Sequence, residues 1–176
     1  MHKISVQELL AEYTQGQRDF CEVDLSEANL FECNLQDINL QGSDLRQAYL
    51  PYANFSRANL QQATLQGAQL GNIRLISANL VEADLVNANL SRADLCGCNL
   101  AGANLSGADL QGADLRYSNL SEANLTGANL GGANLERATF TRANLSQCNL
   151  FRAQSVNVDD AIWDDTTIFP DGYRRT

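Results

Sequence analysis

Apolar positions along this chain follow one spacing: every fifth residue from Phe20 to Leu150 is leucine or phenylalanine, 27 times in succession without an insertion. Two positions earlier stands alanine in 18 of the 27 units, and one position earlier asparagine or aspartate in 22. The next two positions are mostly Ser, Gln, Gly, Glu and Arg, so the unit reads A-(N/D)-L-x-x. A period of five suits neither ordinary element. On a helix successive leucines fall about 140° apart and spiral around the surface, and in a flat strand an odd period sends them alternately to opposite faces. One core collects them all only if the chain turns by the same amount at every unit. Leu and the preceding Ala then point inward, Asn/Asp and both x residues point outward, and the chain stacks on itself as an all-β solenoid.

Runs such as Ala103-Asn104-Leu105-Ser106-Gly107 and Ala123-Asn124-Leu125-Thr126-Gly127 resemble the pentapeptide-repeat family, over residues 18–150. That resemblance implies a right-handed, quadrilateral (four-sided) β-helix with four pentads per coil. The repeats then make about seven coils, roughly 32 Å long at a strand spacing of ~4.8 Å. Columns of Leu beside Ala fill a narrow core and leave no interior cavity. Ile38, Ile73, Cys33, Cys98, Cys148, Ser43 and Ser118 are small or apolar enough to be local adjustments of volume. Outward Asn and Asp suit the corners, where short side chains bond nearby backbone and tolerate unusual φ/ψ.

A solenoid needs covered ends, because an open coil exposes both its core and a strand edge. Ser5-Val6-Gln7-Glu8 reads as a capping box. Val6, Leu9, Leu10 and Tyr13 recur at helical spacing and Gly16 is a stop, which predicts a short N-terminal α-helical cap. The stretch from Leu9 to Leu30, with Arg18-Asp19-Phe20 after the helix, resembles the opening of cyanobacterial pentapeptide-repeat proteins. Residues 157–173 drop the register and offer Trp163 as a plug for the last coil. The expected organisation is a helical cap at 1–17, a repeat body at 18–155 and a C-terminal cap at 156–176. The opening residues lack an apolar run of signal-peptide length and no segment approaches a membrane span, so the expected location is cytoplasmic, with no membrane contact.

Candidate chemistry is sparse. His2 is the only histidine and falls in a segment expected to fray, so a histidine-based triad is excluded. Asp159, Asp160, Asp164 and Asp165 lack the spacing and central glycine of a calcium loop. The five cysteines match no zinc spacing. Cys33, Cys98 and Cys148 fall inward as core residues, whereas Cys21 and Cys96 fall outward, either redox-sensitive or ordinary surface thiols. No catalytic, cofactor or metal residues emerge, and an enzyme would need a pocket that a filled core and flat walls do not supply.

Charge separates two functional readings. Some pentapeptide-repeat proteins linked to quinolone resistance are thought to mimic DNA and occupy gyrase, and a net charge of −9 invites that comparison. Residues 1–45 carry nine acids against Lys3 and Arg18, or −7. Residues 46–152 carry seven acids against eight arginines, or +1, and residues 153–176 five acids against two arginines, or −3. Duplex DNA presents one charge per ~1.7 Å, so a mimic of ~32 Å needs about 19 along its length. Here the acids form a ring at one end: Asp19, Glu22, Asp24, Glu27, Glu32, Asp37 and Asp44. Gyrase inhibition by DNA mimicry is therefore the alternative, and no basic stripe suggests binding of nucleic acid itself.

The leading expectation is a non-catalytic scaffold for a protein partner, as a monomer or an end-to-end homodimer. With 20 residues per coil, Phe31 and Pro51 share an outward column flanked by Tyr49 and Tyr52. Either this cluster is a contact surface or the N-terminal helix folds back over Phe31. Ile76, Val81 and Val86 form a second candidate. Gly97, Gly102, Gly107 and Gly112 take one outward position on four successive sides, a smooth waist open to another backbone.

Overall fold

A computed structural model describes residues 1–175; Thr176, the last residue of the expected C-terminal cap, lies outside the described residues. Parallel β-bridges pair residue i with residue i+20, from Asp19 with Asn39 through Asn134 with Gln154. One turn of the chain therefore takes 20 residues, and the Asn/Asp position of every pentad is where coils meet. From Phe20 to Leu135 the N–H of each register residue donates to the carbonyl 19 residues ahead, as from Leu105 to Asn124 at 2.7 Å, so successive coils are hydrogen-bonded to one another. All residues of the leucine register are buried, none more than 4% exposed. The core is a continuous column of leucine and alanine.

From Leu25 onward each pentad closes with a β-turn in which the next inward residue, usually Ala, donates its N–H to the Leu carbonyl three residues earlier. The second x residue lies at positive φ in every repeat from Glu22 to Arg152, whether it is glycine or not. Positive φ at the third residue alone is the type II pattern. The unusual backbone thus falls at the second x position and not at Asn/Asp, which corrects the expectation about the corners. Asn and Asp serve the turn differently: their side-chain oxygen accepts the N–H two residues on, as Asn54 does from Ser56 at 3.1 Å. Asn adds a rung between coils, with Asn59 Nδ2 donating to Asn39 at 2.9 Å and Asn79 to Asn59 at 3.1 Å.

The N-terminal end is closed by two elements. Strand β1 (His2–Lys3) pairs in parallel with β2 (Val23–Asp24), so His2 does not fray as expected; it continues the ladder one step beyond the first coil. Helix α1 (Val6–Thr14) carries the predicted capping box, with Ser5 and Glu8 exchanging both bonds, and Gly16 at φ 100° ends it. Leu9 is fully buried against the first coil, Tyr13 donates to the Gln36 carbonyl at 2.9 Å, and the Arg18 guanidinium stacks 3.7 Å over the Tyr13 ring.

At the other end the ladder shortens to Asn144 with Ile162 and Asn149 with Ile168. Trp163 stands in the leucine register after Ile162 but remains 37% exposed, which overturns its expected role as the plug. No further coil covers it; Phe169 is buried instead, with the Trp163 ring packed edge-on at 5.2 Å.

Gly127 tests the backbone requirement in isolation. A Cβ built there meets nothing within 4 Å, so any penalty comes from φ +69° and not from crowding. Gly127→Val should cost about 1–2 kcal/mol, and Gly127→Asn, which tolerates this region, less than half of that, read as unfolding free energy in urea.

Candidate protein-interaction surface

The outward aromatics converge as the 20-residue coil requires. Phe31 stacks on Tyr49 at a centroid distance of 5.9 Å and meets Tyr52 edge-on at 6.1 Å, with half-buried Pro51 in the same column. Helix α1 does not cover them: Phe31 is 42% exposed and Tyr52 59%. Tyr52 occupies a second x position at φ 61°, so the turn itself projects the ring outward. Ile76 is exposed and Val81 and Val86 half-buried, but the coil period places these three on successive sides, not in one patch.

The acidic ring divides. Asp19 accepts from Asn39 Nδ2 and the Cys21 thiol, both at 3.0 Å, and Asp24 accepts from the Ser26 backbone and hydroxyl. Asp37 pairs with Arg57 at 2.7 Å and Asp44 with Arg46 at 2.5 Å. Glu22, Glu27 and Glu32 remain exposed at positive-φ turn positions on three successive sides of the first coil. The donors to Asp19 and Asp24 are neutral and leave their charge intact, so the acidic signal at this end comes from five carboxylates, Asp19, Glu22, Asp24, Glu27 and Glu32, and only Asp37 and Asp44 are offset by arginines.

The glycine waist is not bare. Side chains from the preceding coil lean over it, Glu82 over Gly102, Asn87 over Gly107 and Arg92 over Gly112. Nor are the walls flat throughout. A shallow cavity of about 640 Å³ opens on the side that also bears Phe31, with Arg92, Asp109, Gly112, Gly132 and Phe151 among its lining. The sequence reading missed it, although Phe151 falls in the Phe31 column once the coil length is known.

All five cysteines are unpaired, with Cys98 and Cys148 buried and Cys96 half-buried, less open than expected. Burial, then the bond to Asp19, pushes the Cys21 thiol up to about 11. Among the described residues no cluster of His, Cys, Asp or Glu is arranged to hold a metal ion, and no helix is long and apolar enough to cross a membrane.

Two pH-dependent outcomes follow. Iodoacetamide should modify Cys21 at pH 8 about 100-fold more slowly than an ordinary exposed thiol, because only the thiolate reacts, and Asp19→Asn should speed it several-fold, measured by mass spectrometry. The bond with Arg46 holds the Asp44 carboxyl below its ordinary range despite partial burial. Its stabilisation is complete above an unfolded pKa of ~3.9 and is lost as pH falls through the lower folded value. Asp44→Asn should cost about 1 kcal/mol at neutral pH, since the arginine is solvent-screened, and should flatten the acid limb of stability against pH.

Comparison with known families matches the pentapeptide repeats in eight copies, over residues 17–47, 38–75, 78–116 and 118–153. A search of curated proteins finds no match. Among solved structures, the chain is similar to HetL, a pentapeptide repeat protein involved in heterocyst differentiation regulation in the cyanobacterium Nostoc. The two are 33% identical over 98% of this chain and 100% of that one, with a TM-score of 0.51. A pentapeptide repeat protein from the Arabidopsis thaliana thylakoid lumen is 30% identical over 56% of this chain and 69% of its own, with a TM-score of 0.54. QnrB1, a plasmid-mediated fluoroquinolone resistance protein, shares the fold at a TM-score of 0.65 and 22% identity, over 84% of this chain and 80% of its own.

Proposed function

The chain belongs to the pentapeptide-repeat family, and on that premise we propose that it is a non-catalytic scaffold that binds a protein partner through its wall. In this reading the body is a right-handed, four-sided β-helix of about seven coils. The scaffold acts as a monomer or an end-to-end homodimer in the cytoplasm, a reducing compartment suited to five unpaired thiols. The observation that carries it is the Phe31, Tyr49 and Tyr52 cluster, in which the exposed Phe31 ring packs against both tyrosines on a mostly polar wall. Rings grouped this way lose little conformational entropy on docking and supply most of the contact energy of typical interfaces. Identity of 33% to a regulatory protein over its full length supports a role in regulation by binding. Likeness to QnrB1 extends to the fold alone, and the five carboxylates at one end that no arginine offsets, Asp19, Glu22, Asp24, Glu27 and Glu32, fall well short of the charge a DNA mimic needs.

Affinity capture with the wild type should retain a partner that the Phe31→Ser/Tyr52→Ser variant loses; identical captures would remove the cluster from consideration. In parallel, purified gyrase should supercoil DNA normally in the presence of the protein. Inhibition at low micromolar concentration, abolished by neutralising Asp19, Glu22 and Glu27, would replace the scaffold reading with DNA mimicry.

A further inference from the structure

The side of the coil that bears Phe31 has a second aromatic rim. Stacking by 20 residues places Phe151 in the same column, packed against Gly172 of the C-terminal cap. Between the rims the column runs through small residues such as Gly71 and Gly131, and the wall sinks into the cavity of about 640 Å³. Gly112 and Gly132 occupy the adjoining turn positions and remove the side chains that elsewhere line its edge.

Charge gives this depression a direction. Arg92 and Arg152 project from the same turn column, and neither guanidinium has a hydrogen-bond or ion-pair partner among the described residues. The Arg152 guanidinium lies 4.9 Å over the Phe151 ring, which positions it at the rim and leaves its N–H groups unspent. Asp109, the one acid lining the cavity, already accepts the Gln111 N–H at 3.1 Å and Asn129 Nδ2 at 3.0 Å. On a chain of net charge −9, this is a local surplus of cationic donors beside an apolar rim.

We propose that the depression is a docking groove for an extended acidic segment of a protein partner, a deepening that rests on the scaffold reading above. Arg92 and Arg152 are three coils apart, ~14 Å at a strand spacing of ~4.8 Å. An extended chain rises ~3.4 Å per residue, so carboxylates at i and i+4 lie on one face at matching separation. Each arginine presents a planar fork for one carboxylate. The partner does not add a strand to the wall, because wall N–H groups such as those of Arg92 and Gly112 already donate to the next coil. Two unpaired arginines and no basic stripe fit a short acidic peptide better than a nucleic acid backbone.

The test uses the full chain and fluorescein-labelled twelve-residue peptides in a Gly/Ser background with one terminal Tyr. One carries two glutamates four residues apart and its control carries glutamines. In anisotropy titrations at low salt, the glutamate peptide should bind about tenfold tighter than its control. Arg92→Ala/Arg152→Ala should abolish that preference, and Gly132→Asn, which narrows the groove at unchanged charge, should weaken both peptides. Circular dichroism establishes that each variant keeps the wild-type fold. Equal binding of the two peptides, a preference that survives loss of both arginines, or tighter binding of a twelve-nucleotide oligothymidylate would overturn the proposal. The peptide titrations read the groove and the capture experiment reads the aromatic cluster, so a failed groove is distinguishable from a failed scaffold, which shows as capture that does not depend on that cluster.

Discussion

Each coil of this protein is incomplete until the next one arrives. The Leu N–H and the second x N–H of nearly every pentad donate to carbonyls about one coil ahead, so a single coil satisfies only its turn bonds internally and leaves these N–H groups without a partner. Parallel pairing at 20 residues supplies that partner, and it also sets one leucine on the next so that apolar burial and hydrogen bonding grow together. Stability is then shared along the stack, each coil depending on its neighbours, and the ends need special treatment. Strand β1 and helix α1 meet that need at one end; the shortened rungs at Ile162 and Ile168, with Phe169 beneath, meet it at the other.

The same repetition divides the molecule into an interior with no latitude and an exterior with a great deal. Inward positions accept Leu, Ala and a few residues of similar size, and the polar exceptions are bonded to backbone. Ser43 donates to the Phe20 carbonyl, Ser118 to that of Leu115 and the Cys98 thiol to that of Leu75. Outward, the second x position is limited by its positive φ and hardly by its chemistry: Glu22, Tyr52, Arg92 and Gly132 all occupy it. Non-glycine residues there carry backbone strain, of the order of 1 kcal/mol each, so a recognition residue at this position is held against a steady bias toward glycine. Tyr52 of the aromatic cluster and both arginines of the groove occupy this position.

Much of this was legible in the chain. The five-residue register places the leucine column in the core without exception, while of the inward positions before it Ala28, Cys33 and Ala138 are only half-buried, and Ser5 with Glu8 announces the helix. The turn geometry also has a signal in the chain: eight of the twelve glycines fall at the second x position, as positive φ demands, rather than marking a bare waist. Size alone favours Trp163 as the plug, whereas the shortened rungs put Phe169 under cover.

By itself the sequence determined which side chains face inward, since a strict period allows only one apolar column set, and where along the chain charge accumulates. It left open which outward residues are neighbours, because a unit of five carries no information about how many units close a turn. Only the stacking at 20 residues brings Phe31 beside Tyr49 and Tyr52, aligns Phe151 with the same column, separates Ile76 from Val81 and Val86, and commits Asp37 and Asp44 to arginines. Contacts between coils depend on the length of the turn, and that length is a property of the tertiary fold.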